Sequence, residues 1–242
     1  MQQGQLFLIP VTLGTSNPLE VLPISIRTKI EQLNHFIVEN EKASRAFIKL
    51  LAPNKKQDKL RFFQLNKYTN ESELPEFLKP CLDGVSIGLM SDAGCPGIAD
   101  PGEAIVKIAH QLDITIVPMV GPTSIILTLM ASGLNGQSFA FNGYLPIDSG
   151  LRKRKIKDLE KRAKSEDQSQ LFMETPYRNN KLFQDCLKYL HPLTYLTIGL
   201  NMTLPNEYVK TKSIADWKKI ESTMNLDKQP CIFAIGSEQA YR

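Results

Sequence analysis

Short runs of β-branched, aromatic and leucine residues alternate along the chain with stretches whose apolar residues recur near i, i+3, i+4 and i+7. The first kind predicts strands over Leu6–Ile9, Phe36–Val38, Arg61–Leu65, Val85–Met90, Thr115–Pro118, Ser138–Phe141, Gln170–Met173, Tyr195–Leu200 and Cys231–Ile235. The second predicts helices over Glu41–Leu51, Glu71–Leu82, Gly102–Leu112, Pro122–Ser132, Leu151–Ala163, Tyr177–Leu190 and Ile214–Met224. Such alternation is the mark of α/β architecture, with sheets covered by helices. The later half carries hairpin-like pairing around Tyr195–Lys212, which predicts a mixed sheet there. At 242 residues the chain is long enough for two α/β domains. Pro118 and the Gly121-Pro122 turn place the boundary between residues 1–118 and 119–242.

Composition changes this picture little. With 42% hydrophobic and 22% charged residues the chain is globular rather than disordered or fibrous. Its net charge of +4 permits an anionic partner without requiring one. Cys81, Cys95, Cys186 and Cys231 lie far apart, in no metal-ligand spacing and no disulfide framework, so we expect no metal and a reducing, cytoplasmic setting. No window reaches the roughly 18 apolar residues that span a bilayer, so no membrane association is expected. His35, His110 and His191 form no HExxH-type pair, which argues against metal hydrolysis and histidine relays.

The densest chemical signal is SDAGCPGIADPG, Ser91 to Gly102, between an apolar strand and a helix. Three glycines and two prolines in twelve residues fix a tight loop at the carboxyl end of a strand, where open α/β sheets bind ligands. Asp100-Pro101-Gly102 reads as a helix start, with Asp100 as cap and Pro101 at the first helical position. The plainer alternative is a strand-to-helix turn. GxGxxG and GxxxxGK[ST] are absent, which argues against dinucleotide and P-loop sites. A second strand-to-helix junction, Val117 to Ser124, offers free backbone N–H groups beside Thr123 and Ser124, which either meet a ligand or only cap the helix.

These segments, followed by FAFNGYLP and FMETPYR, resemble the tetrapyrrole methylase superfamily, most closely its ribosomal RNA small-subunit methyltransferase I branch. The resemblance implies two domains with a cofactor cleft between them, S-adenosyl-L-methionine as methyl donor and a homodimer. It further implies 2′-O-methylation of a cytidine ribose in small-subunit ribosomal RNA. Carried over residue by residue, it nominates Pro10, Asp92, Ala93, Gly94, Pro96, Ile98, Thr123, Ser124, Asn201 and Ala234 for the cofactor, and Glu174 and Arg178 as catalytic. Glu174 would act as base and Arg178 as a phosphate clamp, the alternative being an i,i+4 ion pair between them. An activated methyl needs alignment rather than a metal or covalent nucleophile, which suits a chain poor in such motifs.

Three segments depart from the family pattern: Ile9-Pro10-Val11-Thr12-Leu13-Gly14, Glu39-Asn40-Glu41-Lys42 and Gln64-Leu65-Asn66-Lys67. They leave open a small-molecule acceptor such as a tetrapyrrole, or a non-catalytic cofactor-binding relative. Arg152, Lys153, Arg154, Lys155, Lys157, Lys161, Arg162 and Lys164 put eight cations in thirteen residues. With Ile156, Leu159 and Ala163 turned inward, they form a basic helix face suited to phosphates or simply to solvent. Trp217 is expected to pack in the core or at an interface.

Overall fold

The computed structural model describes residues 3–66 and 68–237. The chain divides into two compact units, Met1–Thr123 and Ser124–Arg242.

In the first unit the strands are β1 (Leu6–Leu8), β2 (His35–Val38), β3 (Arg61–Gln64), β4 (Ile87–Met90) and β5 (Ile116–Pro118). Its helices are α1 (Pro18–Val21), α2 (Ile24–Gln32), α3 (Glu41–Leu51), α4 (Leu74–Phe77), α5 (Lys79–Leu82) and α6 (Gly102–Gln111). The sheet runs β3-β2-β4-β1-β5 and every pairing is parallel. Residues on β1 and β2 alternate between two cores: Phe7, Phe36 and Val38 pack with Ile26, Ile30 and Ile48 of α2 and α3. Leu6 and Ile37 pack on the other face with Leu74, Leu78 and Ile105. A parallel sheet covered on both faces needs such near-continuous apolar strands.

The helix expected over Glu71–Leu82 is broken into a 3-10 turn at Glu71–Glu73 followed by α4 and α5. Pro75 and Pro80 each start a new segment, since proline lacks the N–H that a continuing helix would use. α1 and α2 fall in a region where no helix is expected from the sequence. α6 begins at Gly102 as expected, but Pro101 is its cap residue instead of its first helical position, and the Asp100 carboxylate accepts from the backbone N–H of both Gly97 and Gly102.

The second unit contains α7 (Ser124–Ser132), β6 (Phe139–Tyr144), α8 (Ser149–Ser165), β7 (Ser169–Met173), α9 (Asn179–Tyr189), β8 (Tyr195–Leu200), β9 (Tyr208–Ser213), α10 (Ile214–Ile220) and β10 (Cys231–Gly236). Its sheet runs β6-β7-β10-β8-β9; β6 and β7 are parallel and the other pairings antiparallel, the mixed sheet expected. One face packs Phe172, Ile198 and Phe233 against Ile156, Leu159, Phe183 and Trp217, which is fully buried and donates its indole N–H to Leu196 O at 2.7 Å. The other face packs Leu171, Ile232 and Ala234 against Ile125 and Leu129 of α7.

Arg152 does not belong to the basic outer face expected from the sequence. It is 6% exposed and bonds Asp185 Oδ2 at 2.7 Å and the carbonyl of Pro146 at 3.1 Å, because a guanidinium taken from water must fill its donor positions.

Candidate functional site

In the first unit, the loops that follow β1, β4 and β5 come together at the carboxyl edge of the sheet. Val11 N donates to Gly94 O at 3.0 Å, joining the first loop to the second. The Cys95 thiol lies 3.6 Å from Gly121 O and 3.4 Å from Pro122 O, joining the second to the third. Burial pushes that thiol's pKa up, so near neutral pH it is a proton donor rather than a nucleophile. Pro10 is buried against Gly121: a Cβ on Gly121 would sit 2.1 Å from the Pro10 Cβ, so only glycine admits this approach.

The loop between β4 and α6 is held by bonds between its own side chains and backbone. Asp100 spans Gly97 and Gly102, and Ser91 Oγ donates to the carbonyls of Ala93 at 3.2 Å and Gly94 at 3.3 Å. Gly94 has φ +74°, and Ala99 has φ 61° with a side chain, a conformation that costs about 1–2 kcal/mol. Backbone strain of this kind gathers at ligand sites. Gly94 and Pro96 are buried, while Asp92, Ala93 and Ile98 are exposed. On one side of the loop lies a cavity of about 420 Å³ lined by Pro96, Gly97, Ile98, Pro118 and Met119 among others. On the other side is a cavity of about 440 Å³ lined by Val11 to Thr15, Phe47 of α3, Ser91 and Asp92. Both fall within the usual range of small-molecule sites, about 300–1,000 Å³.

Sequence reasoning treats Glu39 only as part of a departure from the family pattern. It follows β2, and its Oε1 accepts from Asp92 N at 3.0 Å. Burial, then the neighbouring Asp92 and Asp100 carboxylates, raise its pKa against the opposing effect of that hydrogen bond; burial raises that of Asp92. The signal in the sequence is a carboxylate directly after a strand that neighbours β4, legible only once strand order is known. Thr123 is half-buried and closes the first unit; Ser124 is half-buried and opens α7 in the second.

In the second unit, Glu174 and Asn201 lie at the same end of the sheet, just beyond β7 and β8, whose last residues pair with the start of β10. Arg178 Nη2 meets Glu174 Oε1 at 2.6 Å, and that oxygen also accepts from Thr175 N at 2.7 Å. The Glu174 side chain is 2% exposed and that of Arg178 38%, so the two form a partly buried i,i+4 ion pair. Arg178 Nε is buried without an acceptor. Asn201, at φ 49°, donates its amide to Gln229 Oε1 at 2.7 Å, while Gln229 O accepts from the Asn179 side chain at 2.6 Å. Ala234 lies in mid-strand, fully buried beneath α7, where its methyl group packs.

Among the described residues no cluster of three or more His, Cys, Asp or Glu could hold a metal ion, and no helix is long and apolar enough to cross a membrane.

The chain is 32% identical over 154 residues to the ribosomal RNA small subunit methyltransferase I of Vibrio cholerae, a match covering 64% of this chain and 52% of that protein. The Streptococcus pyogenes enzyme of the same name is 30% identical over 175 residues, covering 72% and 57%. The chain resembles ribosomal RNA small subunit methyltransferase I. It spans about half the length of the curated relatives it matches. Its fold is that of the tetrapyrrole methylases: the methyltransferase CobJ superimposes with a TM-score of 0.63 at 11% identity, covering 97% of this chain and 94% of that one. A Thermus thermophilus uroporphyrin-III C-methyltransferase complexed with S-adenosyl homocysteine gives 0.59 at 14%, covering 99% and 100%. No protein-family model matches.

Proposed function

We propose that the chain is an S-adenosyl-L-methionine-dependent methyltransferase whose acceptor is a cytidine 2′-hydroxyl of small-subunit ribosomal RNA. The observation that carries this reading is the rigid 91–102 loop, tied to Pro10 and Gly121 at the carboxyl edge of a parallel sheet, in a chain whose curated relatives bear that enzyme's name.

The residues at this edge suit such a donor. Gly97, at φ +81°, has nothing within 4 Å of where a Cβ would stand, so its backbone is open to close approach by a ligand. Asp92 sets an exposed carboxylate beside the same loop, a counter-charge for a cationic ligand, and Ile98 offers apolar surface. When bound, S-adenosyl-L-methionine supplies a methyl group already activated on sulfur. The chain's own task is then alignment and water exclusion. Pro10, Ala93, Gly94 and Pro96 fix the loop's shape, and the hydroxyls of Thr123 and Ser124 are proposed as polar partners of the donor.

On the acceptor side, Arg178 keeps one donor on Glu174, and the exposed part of its guanidinium is proposed to meet an anionic group such as a phosphate. Glu174 holds that guanidinium in place. Four free cysteines suit a reducing, cytoplasmic setting, and the family resemblance carries the homodimer, which light scattering tests.

Titration calorimetry with S-adenosyl-L-methionine and S-adenosyl homocysteine tests the donor. We expect saturable binding by the wild-type chain and none by Asp92→Arg or Gly94→Trp; absence of binding by the wild type would sink the reading. Mapping ribose methylation in ribosomes from cells with and without the protein then tests the acceptor.

A further inference from the structure

The sequence shows a basic helix without interleaved aromatic residues. In the folded second unit, aromatic residues reach the same region from other elements. The register between β6 and β7 shifts between Phe141 and Tyr144, after which Tyr144 stands opposite Met173. Such irregularities re-aim the side chain that follows, and Tyr144 is 57% exposed. Tyr177 comes four residues after Met173, in the 3-10 turn Pro176–Arg178, and is 75% exposed. Two tyrosines therefore present their rings to solvent around one strand end, beside the partly exposed Arg178.

The four residues after Tyr144 lead directly into α8, whose first turns follow from this end of the sheet. At 3.6 residues per turn, Lys153, Arg154, Lys157, Lys161 and Lys164 fall within a sector about 100° wide, opposite Ile156, Leu159 and Ala163. All five are exposed, and among the described residues none has a carboxylate partner. The acidic residues of α8 are engaged elsewhere: Asp158 pairs with Arg162 at 3.2 Å, and Glu160 Oε1 accepts from His191 N at 2.6 Å. From Lys153 to Lys164 the stripe runs about 16 Å. Exposed aromatic rings adjoining an acid-free cationic track match the chemistry of unpaired bases and their phosphates.

We propose that this face binds single-stranded RNA, with bases stacking on Tyr144 and Tyr177 and phosphates following Lys153, Arg154, Lys157, Lys161 and Lys164. The single strand follows from the rings, since paired bases do not expose their faces. The choice of RNA rests on the proposed function.

Fluorescence anisotropy of a labelled oligouridylate of about twelve nucleotides, titrated with the full chain at several salt concentrations, tests this. Each cation that neutralises a phosphate on a single strand adds roughly 0.7 to the slope of log K against log salt. Lys157→Gln/Lys161→Gln/Lys164→Gln should therefore weaken binding and flatten that slope by about 2. Tyr144→Ala and Tyr177→Ala should each weaken binding by about tenfold or more with the salt slope unchanged, and Phe at either position should restore it. A triple glutamine variant with wild-type affinity and slope would overturn the proposal. So would tyrosine variants that keep RNA affinity but convert a dimer to a monomer by light scattering, since the face would then join copies of the chain. Calorimetry with S-adenosyl-L-methionine separates the two readings: donor binding without RNA binding removes this proposal alone, and RNA binding without donor binding removes the methyltransferase reading alone.

Discussion

Gly121 shows how little room the carboxyl edge leaves. A methyl group there would overlap Pro10, so Gly121→Ala should cost about 1–3 kcal/mol in urea unfolding and weaken donor binding in calorimetry, as the loops part. Ala99→Gly should act in the opposite sense, raising stability by up to about 1 kcal/mol by removing the left-handed strain of an alanine. Glu39 adds a pH signature. Its folded pKa is raised, so as pH climbs past the ordinary glutamate value of 4.5 the unfolded chain releases a proton that the folded chain still holds, and the folded form loses ground. Glu39→Gln does not titrate. Its urea midpoint relative to wild type should rise with pH through that window and then level off; a constant difference at all pH values would show that Glu39 carries no such burden. The sequence marks Gly121 as a turn and places Ala99 and Glu39 in notable segments, but the contacts that make each one matter come from neighbours the fold brings in.

Whether an element is legible in the sequence follows from where its information lies. The buried strands and long amphipathic helices carry their pattern locally. β9 does so only in part: Lys210 and Lys212 interrupt its apolar alternation, as lysines do on edge strands, so the sequence suggests hairpin pairing there while the strand's bounds come from its pairing with β8. α2 buries just Ile26 and Ile30, too thin a stripe to stand out. The basic face of α8 is visible in outline, yet the run of cations that marks it includes Arg152, whose partner Asp185 lies 33 residues away. Asp185→Ala should destabilise the chain by about 3–5 kcal/mol by leaving a buried guanidinium poorly paired. Arg152→Met/Asp185→Leu should recover most of that loss, and equal urea midpoints for the single and double variants would contradict the buried-pair reading.

For the whole molecule, a donor held only by the folded chain must stabilise it. At one hundred times its dissociation constant, S-adenosyl-L-methionine should add about 2.7 kcal/mol, read as a rise in thermal midpoint that Gly94→Trp abolishes. The α/β class and the mixed second sheet can be inferred from alternating patterns, whereas the order β3-β2-β4-β1-β5 cannot, since crossovers are decided by packing across the entire first unit. That order also affects biosynthesis. β1 is made before β4 and β5, the strands that flank it, so both its neighbours exist only once Pro118 has been synthesised. At about 5–20 residues per second, that leaves a newborn apolar segment without its full set of neighbours for roughly 5–20 s, an interval in which a nascent-chain chaperone has something to hold.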